Sequence, residues 1–280
     1  MTEPRELELL GVMGFGGTLA LSAGRKTLML CCTAARALSP HVTADALLHS
    51  RPFLTLAAAV SVSHPLPPPS PFPHPSGTVP QGVQVHPNQR HIIYPLGSTI
   101  VVKDIVDDTQ FFLQGHNNEV SCLALSSDGK TLASGQKTHM GFVADIIIWN
   151  MDDRSLVRRL QLHKGSISDL AFSPDDQLLA SLGGPDDNKL VVWEVERGVA
   201  VRGEVAGGNT VLTCAWFNNS NCHLVTAGKY TLRIWEFERN SEGAGGRLVY
   251  EEVVLGQIKR VFRAIAIDDQ DVFCYCGSDS

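Results

Sequence analysis

Three tryptophans punctuate this chain at nearly even intervals: Trp149, Trp193 and Trp235 lie 44 and 42 residues apart. Each closes an apolar run and is followed by an acid or amide, as in Ile146-Ile147-Ile148-Trp149-Asn150, Leu190-Val191-Val192-Trp193-Glu194 and Leu232-Arg233-Ile234-Trp235-Glu236. The best-defined copy runs from Leu162 to Val195. It has apolar runs at Ile167 to Phe172 and Leu178 to Ser181, the turn Ser173-Pro174-Asp175-Asp176 between them, and a third run from Lys189 to Val195. Such a strand, turn, strand, turn, strand order, repeated roughly every 40 residues, has the size of one four-stranded blade of a β-propeller. The expected fold class is therefore all-β, an incomplete propeller of about four blades with part of a fifth.

The sequences around Trp149 and Trp193 share a second feature: a Leu-His or Gly-His pair before the first run and a strand ending in Ala-Ser before the second turn. With these features the chain resembles the WD40-repeat family. In that family a His, a Ser or Thr, an Asp and the Trp form a hydrogen-bonded set, and His163, Ser181, Asp187 and Trp193 occupy those places here. The chemistry suits the residue types, because an indole N–H buried without an acceptor costs about 1–3 kcal/mol. A hydroxyl, an imidazole and a carboxylate in series remove that cost. His163 and Asp187 are thus expected to hold a blade together, not to perform catalysis.

The other copies depart from this pattern in ways that set expectations. Residues Val83 to Val85, His91 to Leu96 and Thr99 to Ile105 form a blade in which Lys103 stands where Trp193 does, so the set cannot form there. The next blade has Gly115-His116, Val120 to Leu125 and Thr131 to Ser134, then a long turn from Gln136 to Ala144. That turn puts Asp145 four places before Trp149 where Asp187 is six before Trp193, and the same geometry is not expected. Its tip, Met140-Gly141-Phe142, suits a partner surface better than a core. The fourth blade has no Gly-His and carries Lys229 six places before Trp235, and a fifth begins with Arg263 to Ile267 and Val272 to Cys276.

Upstream of the repeats the chain divides into an N-terminal segment, 1–17, and a stretch from 18 to 77 rich in Ala, Leu and Pro, before the partial propeller at 78–280. His64 to Pro75 holds seven prolines in twelve residues, which cannot donate ladder hydrogen bonds. The stretch from Thr18 to Gly77 is expected to be of low order and to add no blade, with at most a weak helix in Ala34 to Leu48. Because a propeller removes its sheet edges by closing, the chain reads as a truncated product.

A net charge of −6, from 23 basic and 29 acidic residues, argues against a nucleic-acid footprint, which needs clustered Lys and Arg. The seven cysteines form no C-x-x-C knuckle, so no zinc or other metal site is expected. Cys122 and Cys214 fall at corresponding places in apolar strands and read as small reduced hydrophobes. The acidic start, Met1 to Leu10, lacks the basic region of a secretory signal, and no apolar run is long enough to span a bilayer. No membrane, cofactor or small-molecule substrate is expected. Asp152-Asp153 and Asp186-Asp187 are turn carboxylates, which cap backbone N–H groups more often than they act as acid and base, and no enzyme activity is read from them.

More particular stretches lie between the repeats: His91-Ile92-Ile93-Tyr94-Pro95-Leu96-Gly97, Phe112-Leu113-Gln114-Gly115-His116, Gly141 to Ile147, and Ser181-Leu182-Gly183-Gly184-Pro185-Asp186-Asp187. They resemble a family of WD-repeat proteins of motile cilia. The resemblance implies a scaffold in the cytoskeleton of the cilium or flagellum, a microtubule inner protein of the axoneme touching tubulin and inner-junction proteins. Met140, Gly141 and Phe142, with the basic cluster Lys259, Arg260 and Arg263, are its candidate partner surface. A cytoplasmic WD40 adaptor, such as a substrate receptor of a ubiquitin ligase, is the alternative.

Overall fold

The computed structural model describes residues 8–13, 18–23, 26–31, 79, 82–239, 245–255, 259–271 and 273–279. Every regular element among them is a strand. In chain order these are β1 (Glu8–Met13), β2 (Thr18–Ala23), β3 (Lys26–Cys31), β4 (Gln84–Val85), β5 (His91–Leu96), β6 (Thr99–Asp104) and β7 (Gln110–Gln114). Then follow β8 (Val120–Leu125), β9 (Thr131–Gln136), β10 (Val143–Asn150), β11 (Leu156–Lys164), β12 (Ile167–Phe172), β13 (Leu178–Gly183), β14 (Lys189–Glu194) and β15 (Val199–Val205). The last six are β16 (Val211–Trp216), β17 (His223–Gly228), β18 (Thr231–Arg239), β19 (Gly246–Glu252), β20 (Val261–Ile267) and β21 (Phe273–Asp279).

Four consecutive groups of four strands make antiparallel meanders, β4 to β7, β8 to β11, β12 to β15 and β16 to β19. We number these sheets 1 to 4. Sheet 5 joins β20 and β21 to β3, β2 and β1, with β21 lying parallel to β3. The residue pattern leads to a stretch of low order that adds no blade between Thr18 and Gly77, and the structure has two strands at its start. Thr18–Ala23 and Lys26–Cys31 are six-residue strands paired with one another. Leu19 and Leu21, then Leu28 and Leu30, alternate with other residues over six positions only, a signal diluted when the whole Ala- and Leu-rich stretch is read together. The rest of that stretch, including Ala34 to Leu48, lies outside the described residues.

The turn chemistry explains why the first two strands of a sheet return on themselves. In sheet 3, Ser173 Oγ donates to Asp175 Oδ1 at 2.6 Å and accepts the Leu178 N–H at 2.9 Å, while the Gln177 N–H reaches Asp175 Oδ1 at 3.1 Å. Sheet 2 repeats this with Ser126 and Asp128, at 2.7 Å, and the Thr131 N–H on Ser126 Oγ at 2.9 Å. Short hydroxyl and carboxylate side chains replace missing ladder partners, the usual reason such residues occupy turns.

Core side chains lie between successive sheets. Ile93, Ile100 and Leu113 of sheet 1 meet Leu123, Leu132, Ile147 and Trp149 of sheet 2. Ile146, Ile148 and Leu160 of sheet 2 meet Leu170, Leu179 and Trp193 of sheet 3, and Trp235 is buried against the other side of sheet 3. Phe217, Val225 and Leu232 of sheet 4 pack on Phe262, Cys274 and Cys276 of sheet 5. Both faces of an inner strand are thereby covered, and β10 and β13 read as continuous apolar runs where a half-exposed strand would alternate.

Candidate functional site

The polar set around Trp193 forms as the residue pattern requires. Trp193 Nε1 donates to Ser181 Oγ at 2.7 Å, His163 Nε2 lies 2.7 Å from the same hydroxyl, and His163 Nδ1 contacts Asp187 Oδ2. One tautomer satisfies the whole series: the indole N–H donates to Ser181, its hydroxyl donates to Nε2, and the Nδ1–H donates to the carboxylate. Burial works against the charge on Asp187, but the hydrogen bond from His163, helped by Lys189 at 3.5 Å, outweighs it and holds the carboxyl below its ordinary range. Every polar atom of the set is used internally.

The set spans two sheets. His163 belongs to β11, the last strand of sheet 2, whereas Ser181, Asp187 and Trp193 belong to sheet 3. It therefore staples neighbouring sheets, a role its place in the repeat does not reveal.

Sheet 2 departs from expectation. The set forms there too, with Trp149 Nε1 to Ser134 Oγ at 2.7 Å and His116 Nε2 to the same oxygen at 2.7 Å. Gln136 Oε1 takes the carboxylate's place, 3.0 Å from His116 Nδ1. Asp145 is committed elsewhere, to Arg159 and, at 2.8 Å, to Gln161. The long turn removed the Asp from its place, and the end of the preceding strand supplied an amide oxygen instead. Burial pushes the His116 pKa down, in keeping with a neutral partner.

Sheet 4 retains only the first link: Trp235 Nε1 donates to Thr226 Oγ1 at 2.8 Å. In sheet 1 Lys103 replaces the Trp and pairs with Asp108 at 2.8 Å.

A second set of contacts, not anticipated from the residues, joins the turns between first and second strands. Asp176 Oδ1 and Oδ2 accept the N–H groups of Ser127 and Asp128 at 2.8 and 3.2 Å, and Asp271 accepts those of Asn218 and Asn219 at 2.7 and 2.8 Å. Both aspartates have positive φ, 58° and 57°. That left-handed conformation, which Asp tolerates, turns each carboxylate back over the preceding sheet. Elsewhere His86 Nε2 meets Gly129 O at 3.0 Å, and Asn221 Oδ1 accepts the Asp175 N–H at 3.2 Å. The common signal is an Asp at the third or fourth place of the turn, which sequence alone assigns to the turn itself.

One carboxylate is fully buried. Asp169, on β12, accepts Thr213 Oγ1 at 2.8 Å and the Cys214 N–H at 2.9 Å from β16, and the Leu170 N–H at 2.9 Å. Burial, only partly offset by these bonds, pushes its pKa up to about 6. Cys122 and Cys214 are buried free thiols whose pKa burial raises, so neither is poised as a nucleophile.

The predicted partner residues are on the surface, in two places. Met140 and Phe142 are 80% and 67% exposed at the tip between β9 and β10. Gly141 between them has φ +83° and open space around it. The tip is anchored at its base, since Phe142 O accepts the Gly165 N–H at 2.9 Å and Gly165 O accepts the Thr138 N–H at 2.6 Å. Lys259 and Arg260 precede β20, where Arg260 O accepts the Tyr230 N–H at 3.0 Å, and Arg263 is exposed on β20. The two groups belong to sheets 2 and 5 and do not form one cluster. Among the described residues no group of His, Cys, Asp and Glu is arranged to hold a metal ion.

The WD40 family (WD domain, G-beta repeat) matches residues 108–139 and 154–194. The chain carries WD40 repeats. The second match begins at β11 and ends with β14, so that WD40 unit takes its first strand from one sheet and three from the next, the offset that makes His163 a link between sheets. This WD40 chain is similar to cilia- and flagella-associated protein 52 of Chlamydomonas reinhardtii, 46% identical over 203 residues, covering 72% of this chain and 32% of that protein. It is equally similar to the Homo sapiens protein of that name, 46% identical over 206 residues, with 72% and 33% covered. The chain thus spans about a third of the length of these relatives. The crystal structure of RRP9 WD40 repeats is similar in fold, with a TM-score of 0.52, 23% identity, and coverage of 66% of this chain and 53% of that one.

Proposed function

We propose that this chain is propeller sequence of a structural scaffold of motile-cilium axonemes, a microtubule inner protein that binds tubulin and neighbouring inner-junction proteins of the doublets. The observation that carries the reading is the similarity to cilia- and flagella-associated protein 52, which extends over most of the chain and through turns as well as strands. Two features of the site favour scaffolding over chemistry. The His and Asp groups with catalytic potential are spent on indole N–H groups and sheet edges. What is exposed instead is an apolar tip on an anchored hairpin, of the kind that buries against a protein partner.

Isolated cilia, stripped of membrane with detergent and washed, test the proposal with an antibody to the Gly141 to Ile147 region. The full-length protein is expected to stay with the doublet microtubules, because contact through several faces multiplies affinity. Recovery wholly in the detergent-soluble matrix would overturn the inner-protein reading in favour of a cytoplasmic adaptor.

A further inference from the structure

Sheet 4 has lost most of the staple, and its space has not been refilled. Gly207 lies four residues before Val211 as His163 lies four before Ile167, and Lys229 lies six before Trp235 as Asp187 lies six before Trp193. The imidazole and the carboxylate of the Trp193 staple are thus replaced by nothing and by a cation. At this place there is a cavity of about 360 Å³, lined by Val205, Gly207, Gly208, Arg233 and Tyr250 among others.

Arg233 is its chemical centre. The register that sets Ser181 opposite Val191 sets Thr226 opposite Arg233, so a guanidinium enters where sheet 3 has an apolar residue. Arg233 is only 8% exposed. Its guanidinium lies 4.0 Å over the Tyr250 ring, Nη1 donates to Val205 O at 3.2 Å, and Nη2 meets the half-exposed Glu252 at 3.3 Å. Its Nε is buried without an acceptor, and so is Thr231 Oγ1, two residues away on the same strand. These are the two unpartnered buried side-chain atoms among the described residues. An unpaired donor of a buried cation is costly, and both orphans flank the vacated imidazole space.

The acids nearest the cavity are already paired, Glu204 with Arg202 and Glu252 with the Nη2 of Arg233, which leaves the buried Nε of Arg233 without one. Glu204 at the rim is neutralised by Arg202, with Nε 3.0 Å away. Lys229 stands on the neighbouring turn, whose Tyr230 N–H bonds Arg260 O beside Lys259. We infer that this cavity is a docking site for an acidic side chain of a partner protein, a Glu or Asp that reaches Arg233 and restores in trans the carboxylate sheet 4 lacks. The inference is independent of the ciliary reading, because it concerns peptide chemistry and not location.

The test is fluorescence anisotropy of the full chain with a labelled peptide of alternating Glu and Gly and with its Gln counterpart. The Glu peptide is expected to bind, more weakly as salt rises, and the Gln peptide to bind at least about tenfold less well, as loss of a charge-assisted contact requires. Arg233→Met should lower affinity for the Glu peptide by about tenfold or more. Because Arg233→Met can also disturb folding, Gly208→Glu serves as the second variant: a Cβ at Gly208 meets no atom within 4 Å, so an acid can be placed there in cis. It should abolish Glu-peptide binding with an unchanged unfolding midpoint, whereas Gly208→Gln should leave binding in place. Equal affinity for both peptides, no binding of either, or undiminished binding by Gly208→Glu would each overturn the proposal. So would a crystal structure of the chain with the Glu peptide in which water alone bridges Arg233 Nε and Thr231 Oγ1.

Discussion

His163 leaves the last strand of one sheet and ends 2.7 Å from Ser181, on the second strand of the next. The contact makes the stability of two sheets interdependent, since the buried imidazole of one sheet finds its partners, Ser181 and Asp187, on the other. Removing the indole should therefore be costly. Trp193→Ala is expected to destabilise the fold by about 3–5 kcal/mol, as large aromatic deletions from cores do. Equilibrium denaturant unfolding checks this, and a loss below about 1 kcal/mol would contradict the burial of Trp193.

Gln136 gives a sharper test of the sheet 2 staple. Gln136→Leu should cost about 1–3 kcal/mol by leaving His116 Nδ1 buried and unpaired. Asp145→Asn removes only a nearby charge and leaves the hydrogen bonds of His116 in place, so it should move the His116 ring signals less than Gln136→Leu does. Histidine NMR shifts in both variants distinguish the two cases, and a His116 signal that responds to Asp145 and not to Gln136 would refute the assignment.

Asp169 predicts a pH dependence of a particular sign. A buried acid with a folded-state pKa raised to about 6, against about 3.9 unfolded, binds more protons folded than unfolded between those values. Its contribution to stability thus falls as pH rises through that window and is level above it. Relative to Asp169→Asn, the unaltered chain should gain on the order of 2 kcal/mol on going from pH 7 to pH 4, since each tenfold change in proton affinity is worth about 1.4 kcal/mol. Unfolding curves of both proteins at matched pH give the difference, and parallel pH profiles would rule the buried charge out.

The clasp between sheets 4 and 5 can be loosened locally. Asp271→Ala is expected to speed hydrogen exchange at the Asn218 and Asn219 amides, whose acceptor it removes, more than at amides inside β17. Uniform exchange across sheet 4 would show that Asp271 does not act at that turn.

Phe142 separates stability from binding. Because it is exposed on a hairpin whose base is held by backbone bonds, Phe142→Ser should change stability by no more than about 0.5 kcal/mol. In the full-length protein it should weaken co-sedimentation with doublet microtubules. Unchanged sedimentation would remove the tip from the partner surface.

The residues alone determined the strand order of the repeats, the three evenly spaced tryptophans that close their third strands and the identity of the sheet 3 staple. All of these follow from local apolar runs, turn residues and a spacing that a single blade dictates. Gln136 was not legible, because its partner His116 lies twenty residues earlier, before β8, whereas Gln136 ends β9, and an amide carries no motif of its own. Neither was the clasp by Asp176 and Asp271, which read as ordinary turn carboxylates until the neighbouring sheet supplies N–H groups within reach. Nor did Thr18–Ala23 and Lys26–Cys31 declare themselves, since six-residue strands acquire their meaning from the edge they pair with. Periodicity reports which face of a strand is buried; tertiary structure alone decides which distant polar atom meets it there, because that depends on how one sheet is set against the next.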